Sequence, residues 1–201
     1  MIYLSFFIIM LGFLTYFVYT QNSFFSNLDE KVLDFFHSLQ SRTLDILYET
    51  ITWLGSLWVL FPLYLALSFY LLSLGYKNLV LSMSIGFGGA VATTYFIKYI
   101  LERKRPELFE VIGDMPIDPS FPSAHTAQVF IFAFLTSFVI YELGVENRYL
   151  FIGMLLLTAC LVASSRIYLQ VHYFTDVLAG ITVASIWIYI AIYIFRAKGG
   201  L

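Results

Sequence analysis

KNLVLSMSIGFGGAVATTYFIK, residues 77–98, is a run of twenty uncharged residues closed at each end by a lysine. At about 1.5 Å of rise per residue, such a helix spans the roughly 30 Å of a bilayer's hydrocarbon core. Working outward, the same pattern recurs over residues 1–28, 50–76, 119–141, 149–165 and 177–195. The chain is 60% hydrophobic and only 12% charged, where a soluble domain carries about a quarter charged residues. These runs predict an all-α integral membrane bundle of six transmembrane helices, forming a single domain over residues 1–201. The first run lacks a charged leader and a small-residue cleavage site, so it reads as a retained helix and not as a signal peptide. Gly75-Tyr76-Lys77 makes a tight turn and so pairs the second and third helices antiparallel.

Two stretches depart from this pattern. Residues 102–118 mix Glu, Arg, Lys, Asp, Pro and Gly and read as a solvated loop. In residues 27–40, Leu28, Val32, Phe35, Phe36 and Leu39 fall at helical spacing, with Asp29, Glu30, Lys31 and Asp34 opposite. That predicts a short amphipathic helix lying in the interface after the first span, started by a Ser26–Asp29 capping box. His37 on this element reads as a partly exposed interfacial residue. Cys160 stands alone in an apolar run, which allows no intrachain disulfide and suits a small packing residue.

The charges that the chain retains gather at segment ends. Lys98 and Arg105-Pro106 follow the third span; Pro122-Ser123-Ala124-His125 opens the fourth; Ser165-Arg166 closes the fifth, and His172 and Asp176 precede the sixth. Counting crossings puts all three clusters on one face of the membrane. Each alone has an ordinary explanation: interfacial anchors, a helix start, or a polar pair at i,i+4. Jointly they suit phosphoryl transfer, where catalysis is mostly positioning and charge stabilisation. Lys98, Arg105 and Arg166 offer cations to phosphate oxygens, joined by Ser123 and the backbone N–H groups at Ala124 and His125. His172 suits a nucleophile oriented by Asp176, and His125 a general acid.

The spacing within each part, and their order, resemble the three-part signature of the type 2 phosphatidic acid phosphatase superfamily. That resemblance, with its core motifs over 98–176, implies a phosphohistidine on His172 and a site that works without metal or cofactor. It also implies a lipid phosphate substrate: prenyl pyrophosphate first, then phosphatidylglycerol phosphate, phosphatidic acid or a lipid A phosphate. Ala124 stands where the family usually has Gly, and Ala124→Gly is expected to stay active. Membrane lipid is the expected surrounding and no nucleic acid is expected as a partner; the sequence leaves the oligomeric state open. A phosphotransferase passing the group to another acceptor, and less so a small transporter, are the alternatives. Basic residues nearly balance across the membrane; the terminal amine and basic tail lean toward both ends being cytoplasmic with the clusters on the outer face, and the short chain and sparse loops resemble bacterial members of the family, which implies a bacterial inner membrane. Residues 28–39 and the 107–121 loop, on that same face, are expected to gate lipid access.

Overall fold

The computed structural model describes residues 2–201, and among them only helices and loops occur. Five helices are long and apolar enough to cross a bilayer: α1 (Ile2–Tyr19), α5 (Lys77–Leu101), α6 (Ala124–Glu142), α7 (Arg148–Tyr168) and α8 (Phe174–Ala197). The expected span over 50–76 is built differently. Here α3 (Arg42–Thr52) and a 3-10 turn (Trp53–Gly55) meet α4 (Leu57–Ser73) at a bend of 45°, and only taken together are they long and apolar enough for a sixth crossing. The bend has local causes. Ser56 leaves the helical region, and its hydroxyl accepts the Trp58 N–H at 3.1 Å, starting a new helix. Gly55 lets the turn press against its neighbours: a Cβ there would lie 2.4 Å from the Val162 side chain and 3.3 Å from His125.

Helix α8 is the hub, packed on α1, α5 and α6, while α6 also packs on α5 and α7. Small residues make this possible, since Ala90, Ala133, Ala184 and Ala191 are buried between Phe87, Ile131, Leu135 and Val183. Gly180 brings α8 within backbone contact of the α6 start, where a Cβ would fall 2.7 Å from the Ser123 carbonyl. The turn at Gly75, φ +89°, connects α4 and α5 as expected.

The interfacial region departs from expectation. There are two helices after the first span, α2 (Ser23–Ser38) and α3, and α2 begins earlier than predicted. Asn22, and not Ser26, caps α2, accepting the Phe24 N–H at 3.1 Å. Its buried face is also rotated. Asp29 and Leu33 are buried while Phe35 and Leu39 are exposed, because Leu33, Val32 and Phe36 pack on Ala163, Ile167 and Val177. His37 is exposed, and stacks at 3.9 Å on Phe109 of the long loop. Cys160 is exposed, on the outside of α7.

Candidate active site

Three chain segments deliver the expected residues to one place. α5 ends at Glu102 in the left-handed region, and a proline at 106 biases the residue before it, Arg105, toward extended backbone. Successive side chains in an extended segment alternate sides. Arg103 and Arg105 therefore turn inward while Lys104 is exposed. The second segment is the start of α6. The third is the turn after α7, where the Arg166 carbonyl accepts both Val171 N–H and His172 N–H, at 3.2 and 3.1 Å. Gln170 closes that turn at φ +60°, its side-chain amide donating to the Leu33 carbonyl at 3.2 Å.

His172 is 1% exposed and Asp176 fully buried. Asp176 Oδ2 lies 3.4 Å from His172 Nδ1, and also accepts from Ser120 Oγ at 2.5 Å and Tyr173 N–H at 2.9 Å. Ser120 Oγ is itself 3.3 Å from His172 Nδ1. With Nδ1 facing a carboxylate, Nε2 is the nitrogen left with a free lone pair. Burial, reinforced by Arg105 and Lys98 and opposed by Asp176, pushes the His172 pKa down to about 3. The ring is thus neutral at ordinary pH.

The cations nearest His172 are tied to an internal carboxylate. Lys98 Nζ lies 2.9 Å from Asp118 and also donates to the Pro119 carbonyl. Arg105 donates through Nε to the Asp118 carbonyl at 2.9 Å and through Nη2 to its carboxylate at 2.8 Å. Its remaining nitrogen, Nη1, lies 2.7 Å from the Val171 carbonyl and 3.1 Å from His172 Nε2. Burial raises the Asp118 pKa, but Lys98 and Arg105 outweigh it and hold the carboxyl below its ordinary value. Asp118 was read only as loop charge in the sequence.

Arg103 lies in the stretch whose composition reads as a solvated loop, and it is instead part of the buried network. It donates to Asp176 at 2.5 Å, to Asp29 on α2 at 2.8 Å and to Thr175 at 2.8 Å, and lies 4.0 Å over the Tyr173 ring. Thr175 returns its N–H and hydroxyl to Asp29, at 2.9 and 2.7 Å. Burial works against the Arg103 charge, yet Asp176 and Asp29 outweigh it and raise its pKa. Asp29 is raised too, because burial exceeds what Arg103 and Thr175 supply. Lys98, Arg103 and Arg105 pair with Asp29, Asp118 and Asp176, so with His172 neutral these ion pairs balance, and Arg166 stands outside them.

Of the other expected residues, His125 and Arg166 line a neighbouring cavity of about 390 Å³, together with Gln128 and Val171. Arg166 Nη1 donates to Thr52 at 2.5 Å, while its Nε has no hydrogen-bond partner. His125 lines this cavity with Arg166 and with Val171, the residue before His172. Ser123 and Ala124 are buried at the α6 start, close by. Ser123 Oγ accepts from Thr126 at 3.0 Å, leaving its own proton to donate. Val171 joins the two halves of the site, since its carbonyl holds Arg105 while the residue also lines the cavity. Among the described residues, no three His, Cys, Asp or Glu are grouped to hold a metal ion.

The family model described as PAP2 superfamily matches residues 77–199. The fold is similar to a solved PAP2-type phosphatidylglycerolphosphate phosphatase from Bacillus subtilis: TM-score 0.83, 24% identity, 98% of each chain covered. It is also similar to LpxE from Aquifex aeolicus, with TM-score 0.67, 24% identity, and 83% of this chain and 95% of that one covered. No curated protein matches the sequence.

Proposed function

The chain belongs to the PAP2 superfamily, and on that premise we propose that it is a membrane lipid phosphatase working through a phosphohistidine on His172. The observation that carries this reading is the His172 ring itself, with Nδ1 against Asp176 and Nε2 against a guanidinium that could equally hold a phosphate oxygen. Lys98, Arg105 and Arg166, with the Ser123 hydroxyl and the N–H groups at Ala124 and His125, hold the non-bridging oxygens. As the phosphate arrives, Arg105 moves from Nε2 onto it. A dianion beside the imidazole also offsets the burial that keeps its basicity low.

His172 Nε2 then forms a bond to phosphorus while the bond to the lipid oxygen breaks, and His125 gives that oxygen a proton. In the second half, His125 takes a proton from a water molecule whose oxygen bonds to phosphorus. The P–N bond breaks, releasing phosphate and a neutral His172. Neither half needs a metal. The substrate is a lipid bearing a terminal phosphate at headgroup depth, with phosphatidylglycerol phosphate, phosphatidic acid, lipid A phosphate and prenyl pyrophosphate as candidates. Its setting is a bacterial cytoplasmic membrane, with the site on the outer face.

The test is phosphate release from these lipids in detergent micelles with EDTA, comparing wild type with His172→Ala. Acid-labile labelled protein should form on wild type only. Activity in the variant, or its loss to the chelator, would overturn the mechanism, and phosphate found on an organic acceptor would turn the hydrolase into a transferase.

A further inference from the structure

The cavity beside His125 is larger than one phosphate requires, and its polar lining is asymmetric. Gln128, one turn along α6 from His125, is 1% exposed, and its Nε2, though near the Tyr95 hydroxyl, completes no hydrogen bond of normal geometry. A buried amide left unpaired is costly unless something else completes it. Arg166 Nε, 4% exposed by residue, is the second unpartnered donor in the lining. The same lining holds two carboxylates, one half-buried and one exposed. Glu49 on α3 and Asp114 in the long loop line the same space, and neither has an ion pair or hydrogen bond among the described residues. Glu49 lies directly against the loop, since a Cβ on Gly113 would fall 2.9 Å from Glu49 Oε1.

The sign of this lining discriminates between headgroups. Arg166 is the single Lys or Arg in it, and the function proposed above already commits that guanidinium to the terminal phosphate. A second phosphate next to the first would meet Glu49 and Asp114, both of its own sign, with no Lys or Arg beyond Arg166 in the lining, and with the His125 proton already committed to the leaving oxygen. A hydroxyl needs the opposite provision: an acceptor for its proton and a donor to its oxygen. Glu49 offers the first and Gln128 the second.

We infer that this cavity is a hydroxyl-reading subsite, in which Glu49 and Gln128 hold the linker between the terminal phosphate and the lipid. The inference rests on the phosphatase reading and narrows it. The substrate is a phosphomonoester on a hydroxyl-bearing headgroup, a glycerol or a sugar, in preference to a prenyl pyrophosphate. This reverses the order expected from the sequence.

The test compares kcat/KM for three probes in one detergent: phosphatidylglycerol phosphate (a free hydroxyl beside the scissile ester), phosphatidic acid (none) and farnesyl pyrophosphate (a second phosphate). Wild type should prefer them in that order. Glu49→Gln and Gln128→Ala should each lower the ratio of the first probe to the second by about 10-fold or more, as for loss of one hydrogen bond involving a charged or buried group. Glu49→Gln should also raise the pyrophosphate relative to phosphatidic acid. Because each ratio is read on one preparation, partial unfolding cancels. Ratios unchanged from wild type, or farnesyl pyrophosphate as the best wild-type substrate, would overturn the subsite while leaving the phosphatase intact. No phosphate from any probe would overturn both.

Discussion

Arg103→Gln removes one cation from between two buried carboxylates, Asp176 at 2.5 Å and Asp29 at 2.8 Å. Breaking a buried ion pair from one side costs about 3–5 kcal/mol, because the charge left behind keeps its desolvation penalty. For a chain of this length each kcal/mol moves the melting temperature by roughly 2–4 °C, so a fall of roughly 6–20 °C is expected. Asp29→Asn is the informative partner. It leaves Arg103 and Asp176 as a balanced pair, and an Asn oxygen can still accept from Thr175. Its expected cost is about 1–2 kcal/mol, or roughly 2–8 °C. Activity should fall as well, since Arg103 is among the donors that aim Asp176 at His172; losses of about 10–100-fold in kcat, with KM little changed, are the scale for such supporting groups. Arg103→Lys should recover more melting temperature than kcat, keeping the charge but losing the two-pronged reach. Thermal unfolding in detergent and steady-state kinetics on the same preparations measure both. An Asp29→Asn variant as damaged as Arg103→Gln, or an Arg103→Gln variant melting within 2 °C of wild type, would refute the charge argument.

Other perturbations address separate parts of the site. Asp118→Asn should tighten inhibition by inorganic phosphate about 10-fold or more, because a carboxylate no longer competes for Lys98 and Arg105; weaker inhibition would mean that Asp118 aligns the two cations instead. The His172 pKa of about 3 lies below the unfolded value of about 6.5, so the unfolded chain binds the proton first as pH falls. Its contribution to stability is complete above about pH 6.5 and is lost progressively toward pH 3, so melting temperature should fall less steeply over that window in His172→Gln; parallel curves would contradict the assignment. Gly180→Ala, whose methyl would press on the Ser123 carbonyl, should cost more activity than Gly12→Ala, which has nothing within 4 Å. Ala124→Gly should remain active, and a dead variant would place the α6 start differently from the arrangement described.

The apolar runs and the three clusters were legible because both depend on short-range features: span length, and the spacing of a few residues at segment ends. What escaped the sequence depends on long-range partners. Asp29 belongs by periodicity to a solvated face, and α2 turns it inward because Arg103 and Thr175, more than seventy residues away, complete it. Ser120 joins His172 and Asp176 across more than fifty residues, with no local signal. Arg103 was within reach of inference, since the proline after Arg105 favours extended backbone and puts residues 103 and 105 on one side. The break in the second crossing also had a signal in Gly55-Ser56, outweighed by the length of the uncharged run around it.

That break has a consequence for how a lipid reaches the site. Trp53 and Trp58 flank it, exposed by 61% and 86%, and both line the cavity that holds His125. Hauling a sixteen-carbon tail into water costs about 13 kcal/mol at about 0.8 kcal/mol per methylene, more than a headgroup site could readily recover. On the proposed reading, a lipid that enters between these two indoles turns its phosphate inward while its tail stays dissolved among its neighbours.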